Sequence, residues 1–146
     1  RIVVVIREAL IEDFKEIKEL MGILEEKEYD EKCFYHRFQD ILNNHFYHYY
    51  VYVEDNKIIG FISLMIKYPL HHVKITGEIL ELCVHPNYRN QRIGKQLIDY
   101  IEIVAKEKDL EELELSSNVK RKDAHRFYEK HHYCKDHFNF TKKINH

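Results

Sequence analysis

Between Glu78 and Gly94 the chain reads Glu-Ile-Leu-Glu-Leu-Cys-Val-His-Pro-Asn-Tyr-Arg-Asn-Gln-Arg-Ile-Gly, and three cations, Arg89, Arg92 and Lys95, crowd its end. An apolar run stops at His85-Pro86, a polar stretch follows, and from Ile93 the apolar spacing is that of a helix. This is strand, short loop, helix. The first backbone N–H groups of a helix have no partner inside it and point outward together, so such a junction holds an anion. The helix dipole adds about 0.3–1 kcal/mol per favourable charge, and mobile arginine and lysine heads add more donors. A pyrophosphate would be held by both.

Arg89-x-x-Arg92-x-Gly94 resembles the Gln/Arg-x-x-Gly-x-Gly/Ala loop of the Gcn5-related N-acetyltransferases, which grips the pyrophosphate of acetyl-coenzyme A, and Leu82-x-Val84-x-Pro86 is similar to that family's fourth strand. The resemblance implies acetyl-coenzyme A as cosubstrate, bound by Leu82, Cys83 and Val84 on the strand and by Arg89, Asn90, Gln91, Arg92, Ile93, Gly94 and Lys95 on the loop and first helical turn. Arg92 stands where the family most often has glycine, a residue that takes positive φ freely; arginine held there costs about 1 kcal/mol. The expectation is that Arg92 keeps ordinary backbone angles.

A second signature lies downstream. Asn118-x5-Ala124-x-x-Phe127-Tyr128-x-Lys130 resembles the family's Asn-x5-Ala-x-x-Phe-Tyr-x-Lys, which implies that Asn118 contacts the coenzyme and that Tyr128 protonates the departing sulfur. A phenol near pKa 10 and a thiol near 8.5 are close enough for that transfer. The family's Lys-x-Gly-Phe ending is Lys130-His131-His132-Tyr133 here, a second missing glycine. Attack by an alkyl amine, whose pKa is near that of lysine at about 10.4, also needs a base, for which Glu78 and Glu81 are the candidates. Three positions apart, they point to opposite faces of a regular strand, and a bulge would change that. Glu78 aligns with the acidic base of histone-modifying relatives, whereas Glu81 lies nearer the expected thioester; each can also be read as a charged strand position.

Further stretches narrow the resemblance. Leu70-His71-His72-Val73, Gly77-Glu78-Ile79, Asn118 to Tyr128 and His137-Phe138-x-Phe140-Thr141-Lys142 together are similar to the aminoalkylphosphonate N-acetyltransferases of the same family. A phosphonate dianion wants convergent donors, for which His71, His72, Lys120, Arg121 and His137 are available. With eleven histidines in the chain, adjacent pairs also arise by chance. The resemblance extends to activation by a divalent metal, although no His or Glu spacing specifies a site.

These groups need a scaffold. Ile2–Ile6 is a continuous β-branched run, expected as a strand buried on both faces. Phe14, Ile17, Leu20, Met21 and Leu24 give an amphipathic helix, and Phe34, Phe38, Ile41 and Leu42 a second over 31–42. Tyr35, His36 and Arg37 are acceptor-side candidates on that second helix, with a solvated face as the plainer reading. Tyr47–Val53 and Ile58–Lys67 form a hairpin around Glu54-Asp55-Asn56-Lys57. After the central strand come a helix with Ile93, Leu97, Ile101 and Val104 on one face, a strand over Leu113–Ser116, a helix over 122–131, and Tyr133–Lys142 as a strand closing the sheet. The sum is an α/β fold, a central mixed sheet with helices on both faces, as one acetyltransferase domain over 1–146. The family's cofactor sits where Glu78–Val84 and Leu113–Ser116 splay apart.

Composition bounds the rest. At 146 residues, 45% hydrophobic and 33% charged, with a formal net charge of −2, the chain reads as one globular domain without the cationic excess of a general nucleic-acid binder. No apolar run reaches the roughly 20 residues of a membrane span. Cys33, Cys83 and Cys134 are too few and too scattered for a disulfide framework, so a cytoplasmic setting is expected; the chain opens at Arg1 with no secretory signal pattern. The expected activity is N-acetylation of a small primary amine in a ternary complex, with an aminoalkylphosphonate first and an aminoglycoside, polyamine or protein amine as alternatives. A non-catalytic acetyl-coenzyme A sensor is the reading from another class. A homodimer is carried on family precedent alone.

Overall fold

The structure, a computed structural model, describes every residue except Asn90, Asn118 and His146. Tyr47–Glu54 (β2) and Lys57–Lys67 (β3), rich in β-branched and aromatic residues, pair antiparallel around Asp55 and Asn56, whose φ values are 48° and 66°. Positive φ at both central residues matches the right-handed strand twist, and Asp and Asn tolerate it. Val4–Glu8 (β1) flanks β2, Thr76–Val84 (β4) runs antiparallel to β3, and Leu113–Leu115 (β5) runs parallel to β4. The sheet order is β1-β2-β3-β4-β5.

Each face of this mixed sheet carries helices. Phe14–Glu25 (α1) and Glu31–Leu42 (α2) press Ile17, Leu20 and Phe38 onto Tyr49, Val51, Phe61 and Cys83. Asp30 starts α2 by accepting the Cys33 N–H at 2.9 Å. On the other face, Ile93–Glu107 (α3) buries Ile93, Leu97, Ile98, Ile101 and Val104 against Tyr50, Ile62, Leu64 and Ile79, and Phe127 of Lys122–Lys130 (α4) packs at its margin. Each such aliphatic side chain contributes about 1.5–3 kcal/mol of burial, so this face anchors β4 and the start of α3 to one another. Among the described residues no helix is long and apolar enough to cross a membrane.

Two expectations are corrected. The first strand begins at Val4 and is not buried on both faces: Ile2 is 65% and Val5 47% exposed. Its β-branched run reports strand propensity, but at the end of the sheet only β2 pairs with it. Nor does Tyr133–Lys142 close the sheet; the described residues after Tyr133 form no strand, with Phe138 and Phe140 87% and 90% exposed. Alternation becomes a strand only where an edge accepts it, and β5 has just three residues in its ladder.

The N-terminal corner is tied by charge. Arg7 donates to Asp13 at 2.8 and 3.1 Å, and the Leu10 N–H donates to the same carboxylate at 2.7 Å. Burial pushes the Asp13 carboxyl up, but Arg7 and the Leu10 N–H outweigh it and hold the group below its usual range. A depressed folded-state pKa stabilises the fold above the ordinary carboxylate pKa of about 4 and is lost as pH falls through the folded value. Asp13→Asn is therefore expected to cost about 1–3 kcal/mol at pH 7, with Arg7 partly solvated, and progressively less on acidification. Urea unfolding between pH 3 and 7 checks this; a loss that does not vary with pH removes the electrostatic cause.

Candidate active site

The centre of the site is an irregularity in β4. Leu64 pairs with Ile79 and Ile62 with Leu82, so Leu80 and Glu81 together oppose Ser63. Two residues against one make a β-bulge. Ile79 and Leu82 both pack on the α3 side, and the extra residue turns Glu81 to the α1/α2 side. Glu78 is on that side too, because its partner Met65 shares a face with Ser63 two residues away. The regular-strand expectation that the glutamates diverge is thus overturned by the bulge.

Their surroundings differ. The Tyr49 hydroxyl donates to Glu81 Oε1 at 3.1 Å, the Ser63 hydroxyl donates to the same oxygen, and Ser63 Oγ accepts the Glu81 N–H at 2.9 Å. Tyr49 and Ser63 are both buried. Burial first, then the Glu81 charge, raises the Tyr49 phenol far above its ordinary value, so it remains a donor through the neutral range. Among the described residues nothing bonds Glu81 Oε2. Glu78 instead meets Lys67 Nζ at 3.3 Å, and that ammonium also holds Glu114 at 2.7 Å.

Glu81 opens onto a cavity of about 390 Å³ between the sheet and the α1–α2 pair. Ile17, Met21, Phe34, Phe38 and Ile41 form its apolar wall; Glu25, Tyr29, Asp30, Cys33 and Arg37 supply the polar part. A volume of that size suits a small ligand.

The anion-binding junction lies at the far end of β4. A 3-10 turn at Pro86–Tyr88 and an extended Arg89 lead to Arg92, which precedes α3 with φ 61° and ψ 24°. The expectation of ordinary angles fails here: Arg92 adopts the glycine-like conformation, and His132 does the same with φ 71°. Helical geometry leaves the Ile93, Gly94 and Lys95 N–H groups without intrahelical partners. A Cβ built on Gly94 would meet Phe127 at 3.5 Å, an ordinary contact, so packing does not demand glycine there. Lys95 Nζ is engaged by Asp99 at 2.6 Å, while Gln91 is exposed on the loop. Because His132 is strained without carrying a proposed role, His132→Gly is expected to stabilise the protein by about 1 kcal/mol and raise Tm by about 3 °C in thermal unfolding; an unchanged Tm would show that the turn relaxes without cost.

Between bulge and junction, β4 has no strand paired on one side among the described residues, since its pairing with β5 covers only Gly77–Ile79. Along that open edge Leu82 and Val84 turn their side chains into the α3-side core. Cys83 is buried on the opposite face, donating to the Leu20 carbonyl at 3.2 Å, and burial pushes its thiol up to about 11. It is therefore a neutral thiol at physiological pH and offers no thiolate for a covalent acyl intermediate.

Tyr128 sits on α4 between the Phe127 and Tyr133 rings, at centroid distances of 5.5 and 6.3 Å. Burial raises its phenol, and Arg121 pulls it back in part. The five basic acceptor candidates are dispersed. His71 lies tilted against His72, whose Nδ1 pairs with Glu111 and whose Nε2 lies 3.9 Å from Glu112; Lys120 and Arg121 lead into α4; His137 pairs with Asp136 at 2.6 Å. None of them lines the Glu81 cavity. Asn90 and Asn118 lie outside the described residues. Tyr49 and Ser63 escaped sequence reasoning because a strand tyrosine and a strand serine look like packing until the bulge turns a carboxylate toward them. Among the described residues no three His, Cys, Asp or Glu side chains converge as ligands, and no step is derived through a divalent metal.

Comparison with known proteins follows the same lines. Residues 7–133 match the profile of the Acetyltransferase (GNAT) family. The chain is 39% identical over 139 residues to the aminoalkylphosphonate N-acetyltransferase of Salmonella typhimurium (strain LT2), covering 95% of this chain and 90% of that protein. A transcriptional regulator from Bacillus halodurans C-125 superposes with a TM-score of 0.89 at 22% identity, over 97% of this chain and 100% of the other. An aminoglycoside acetyltransferase from an uncultured soil metagenomic sample, solved with trehalose, gives 0.83 at 22% identity over 97% of each chain. At those identities the structural likeness speaks for the fold alone.

Proposed function

The chain belongs to the Acetyltransferase (GNAT) family, and from that premise we propose that residues 1–146 act as one domain that acetylates the primary amine of a small acceptor by direct attack in a ternary complex, with an aminoalkylphosphonate as the first substrate class. Enzymes of this family use acetyl-coenzyme A as the acetyl donor. The observation that carries the reading is Glu81, held on one oxygen by Tyr49 and Ser63 and lining a ligand-sized cavity.

The cosubstrate supplies an acyl thioester when bound. Its pyrophosphate suits the free N–H groups of Ile93, Gly94 and Lys95, with Arg89, Gln91 and Arg92 around them, and the open side of β4 at Leu82–Val84 suits the arm that follows. An alkyl ammonium of pKa about 10 must lose a proton before it can attack, and Glu81 Oε2 is the group that takes it. Nitrogen then bonds to the acetyl carbon as the C–S bond breaks, Tyr128 gives its phenolic proton to the sulfur, and the second proton released by the nitrogen passes to solvent, from which Tyr128 is reprotonated. Glu78, neutralised by Lys67, tunes the neighbouring charge and does not accept that proton.

A second reading within enzymes is a polyamine or aminoglycoside acceptor, favoured by the Glu25 and Asp30 carboxylates on the same cavity. Thiol release with aminomethyl- and aminoethylphosphonate, beside spermidine and an aminoglycoside, tests the choice. Turnover on the phosphonates alone supports the first class; turnover on spermidine alone selects the second. Coenzyme binding with no turnover on any amine would leave a sensor.

A further inference from the structure

We propose that Arg37 is the specificity residue of the acceptor site: its guanidinium holds the phosphonate, or an equivalent acid group, of an acceptor whose amine end lies at Glu81. The inference rests on the acetyltransferase reading of this cavity and adds to it the chemistry of the far end.

Position carries the first step. Phe34, Phe38 and Ile41 stand three before, one after and four after Arg37, so Arg37 lies within the cavity-facing stripe of α2 rather than on the opposite face. Arg37 is exposed, so its guanidinium sits at the cavity's solvent-facing side, where an incoming ligand can reach it. Among the described residues Arg37 has neither an ion pair nor a hydrogen bond, whereas Arg7, Lys67, Lys95 and Arg126 are matched by Asp13, Glu78 with Glu114, Asp99 and Asp123 respectively. Of the carboxylates on the same cavity, Asp30 accepts from the Cys33 N–H and Glu81 from Tyr49 and Ser63, while Glu25 makes no ion pair with Arg37. One cavity therefore presents a proton acceptor and a planar cation that no side chain among the described residues pairs with.

A zwitterion, cationic at its amine and anionic at its acid group, satisfies both at once. The guanidinium fork matches two oxygens of a phosphonate, and Glu81 meets the ammonium before accepting its proton. A diamine of the same length would set its second ammonium against Arg37. The same cation accounts for discrimination without the five dispersed basic residues, none of which reaches this cavity.

The test compares 2-aminoethylphosphonate with propylamine, which keeps the amine and a similar reach but lacks the acid. In Arg37→Gln the ratio of kcat/KM for the phosphonate to that for propylamine is expected to fall about 10–100-fold, the range of a charged hydrogen bond, mainly through KM, and Arg37→Lys should recover part of it. Ethylphosphonate, an acid without an amine, should inhibit the wild type competitively against the acceptor and inhibit Arg37→Gln at least tenfold less well. An unchanged ratio in an active Arg37→Gln enzyme overturns the role of Arg37 and leaves the substrate reading standing. A wild type that acetylates other amines but not aminoethylphosphonate, and is not inhibited by ethylphosphonate, overturns both.

Discussion

Replacing Glu81 with glutamine is expected to lower turnover at neutral pH by about 10²–10⁴-fold, the usual contribution of a positioned general base. Glutamine keeps the volume, and its carbonyl still accepts from Tyr49 and Ser63, so the bulge and the fold should survive. What is lost is the ability of the outer oxygen to take a proton. The deficit should shrink as pH rises toward about 10, because solvent then delivers the amine already deprotonated. Thiol release measured from pH 6 to 10 gives both the size of the loss and its pH dependence. Glu78→Gln is the control: it removes a partner of Lys67, which Glu114 still holds, and should cost severalfold at most. Should Glu78→Gln be the crippled enzyme and Glu81→Gln the healthy one, the base is Glu78. Tyr49→Phe separates positioning from chemistry, since it frees the carboxylate without removing it; about a tenfold loss, without the recovery at high pH, is expected.

The second large effect is at Tyr128. Tyr128→Phe is expected to reduce turnover about 100-fold while the dissociation constant for acetyl-coenzyme A moves less than about threefold, because the ring that packs beside Phe127 and Tyr133 remains and only the proton donor goes. Burial raises the phenol above its ordinary value of about 10. A donor with a raised pKa is protonated throughout the neutral range and fails only as pH climbs past the raised value, so Tyr128 should impose no decline in activity below about pH 10. Single-turnover kinetics beside a coenzyme titration distinguish the two contributions. Turnover equal to wild type would exclude the phenol from the reaction, and an equal loss of coenzyme affinity would make it a binding residue instead.

Much of the scaffold was readable in advance because its signals are local. The span of α2, the hairpin around Asp55-Asn56, and the register of apolar residues on α3 each depend on side chains a few positions apart, and the structure has them where periodicity puts them. Signals that depend on the number of neighbours misled. The β-branched run at the N-terminus looks buried, yet it ends the sheet; the alternation around Phe138 and Phe140 looks like a strand, yet no edge takes it. Both failures have one cause: composition reports what a segment prefers, not what covers it.

The site divides along the same line. Sequence alone determined the chemistry on offer, namely a strand-loop-helix junction with cations at its mouth, two glutamates on the strand and a tyrosine in a family-like signature, because bonding capacity belongs to residue types and their spacing. Only the tertiary structure decided how the two glutamates are held, by inserting one residue in β4 and turning Glu81 toward Tyr49 and Ser63 from two other strands. It also drew Arg37, on a helix more than forty residues upstream, into the same cavity, and kept His71, His72, Lys120, Arg121 and His137 out of it. Register and helix packing are set by contacts distant in the chain, so the direction in which a side chain finally points is decided where those contacts close.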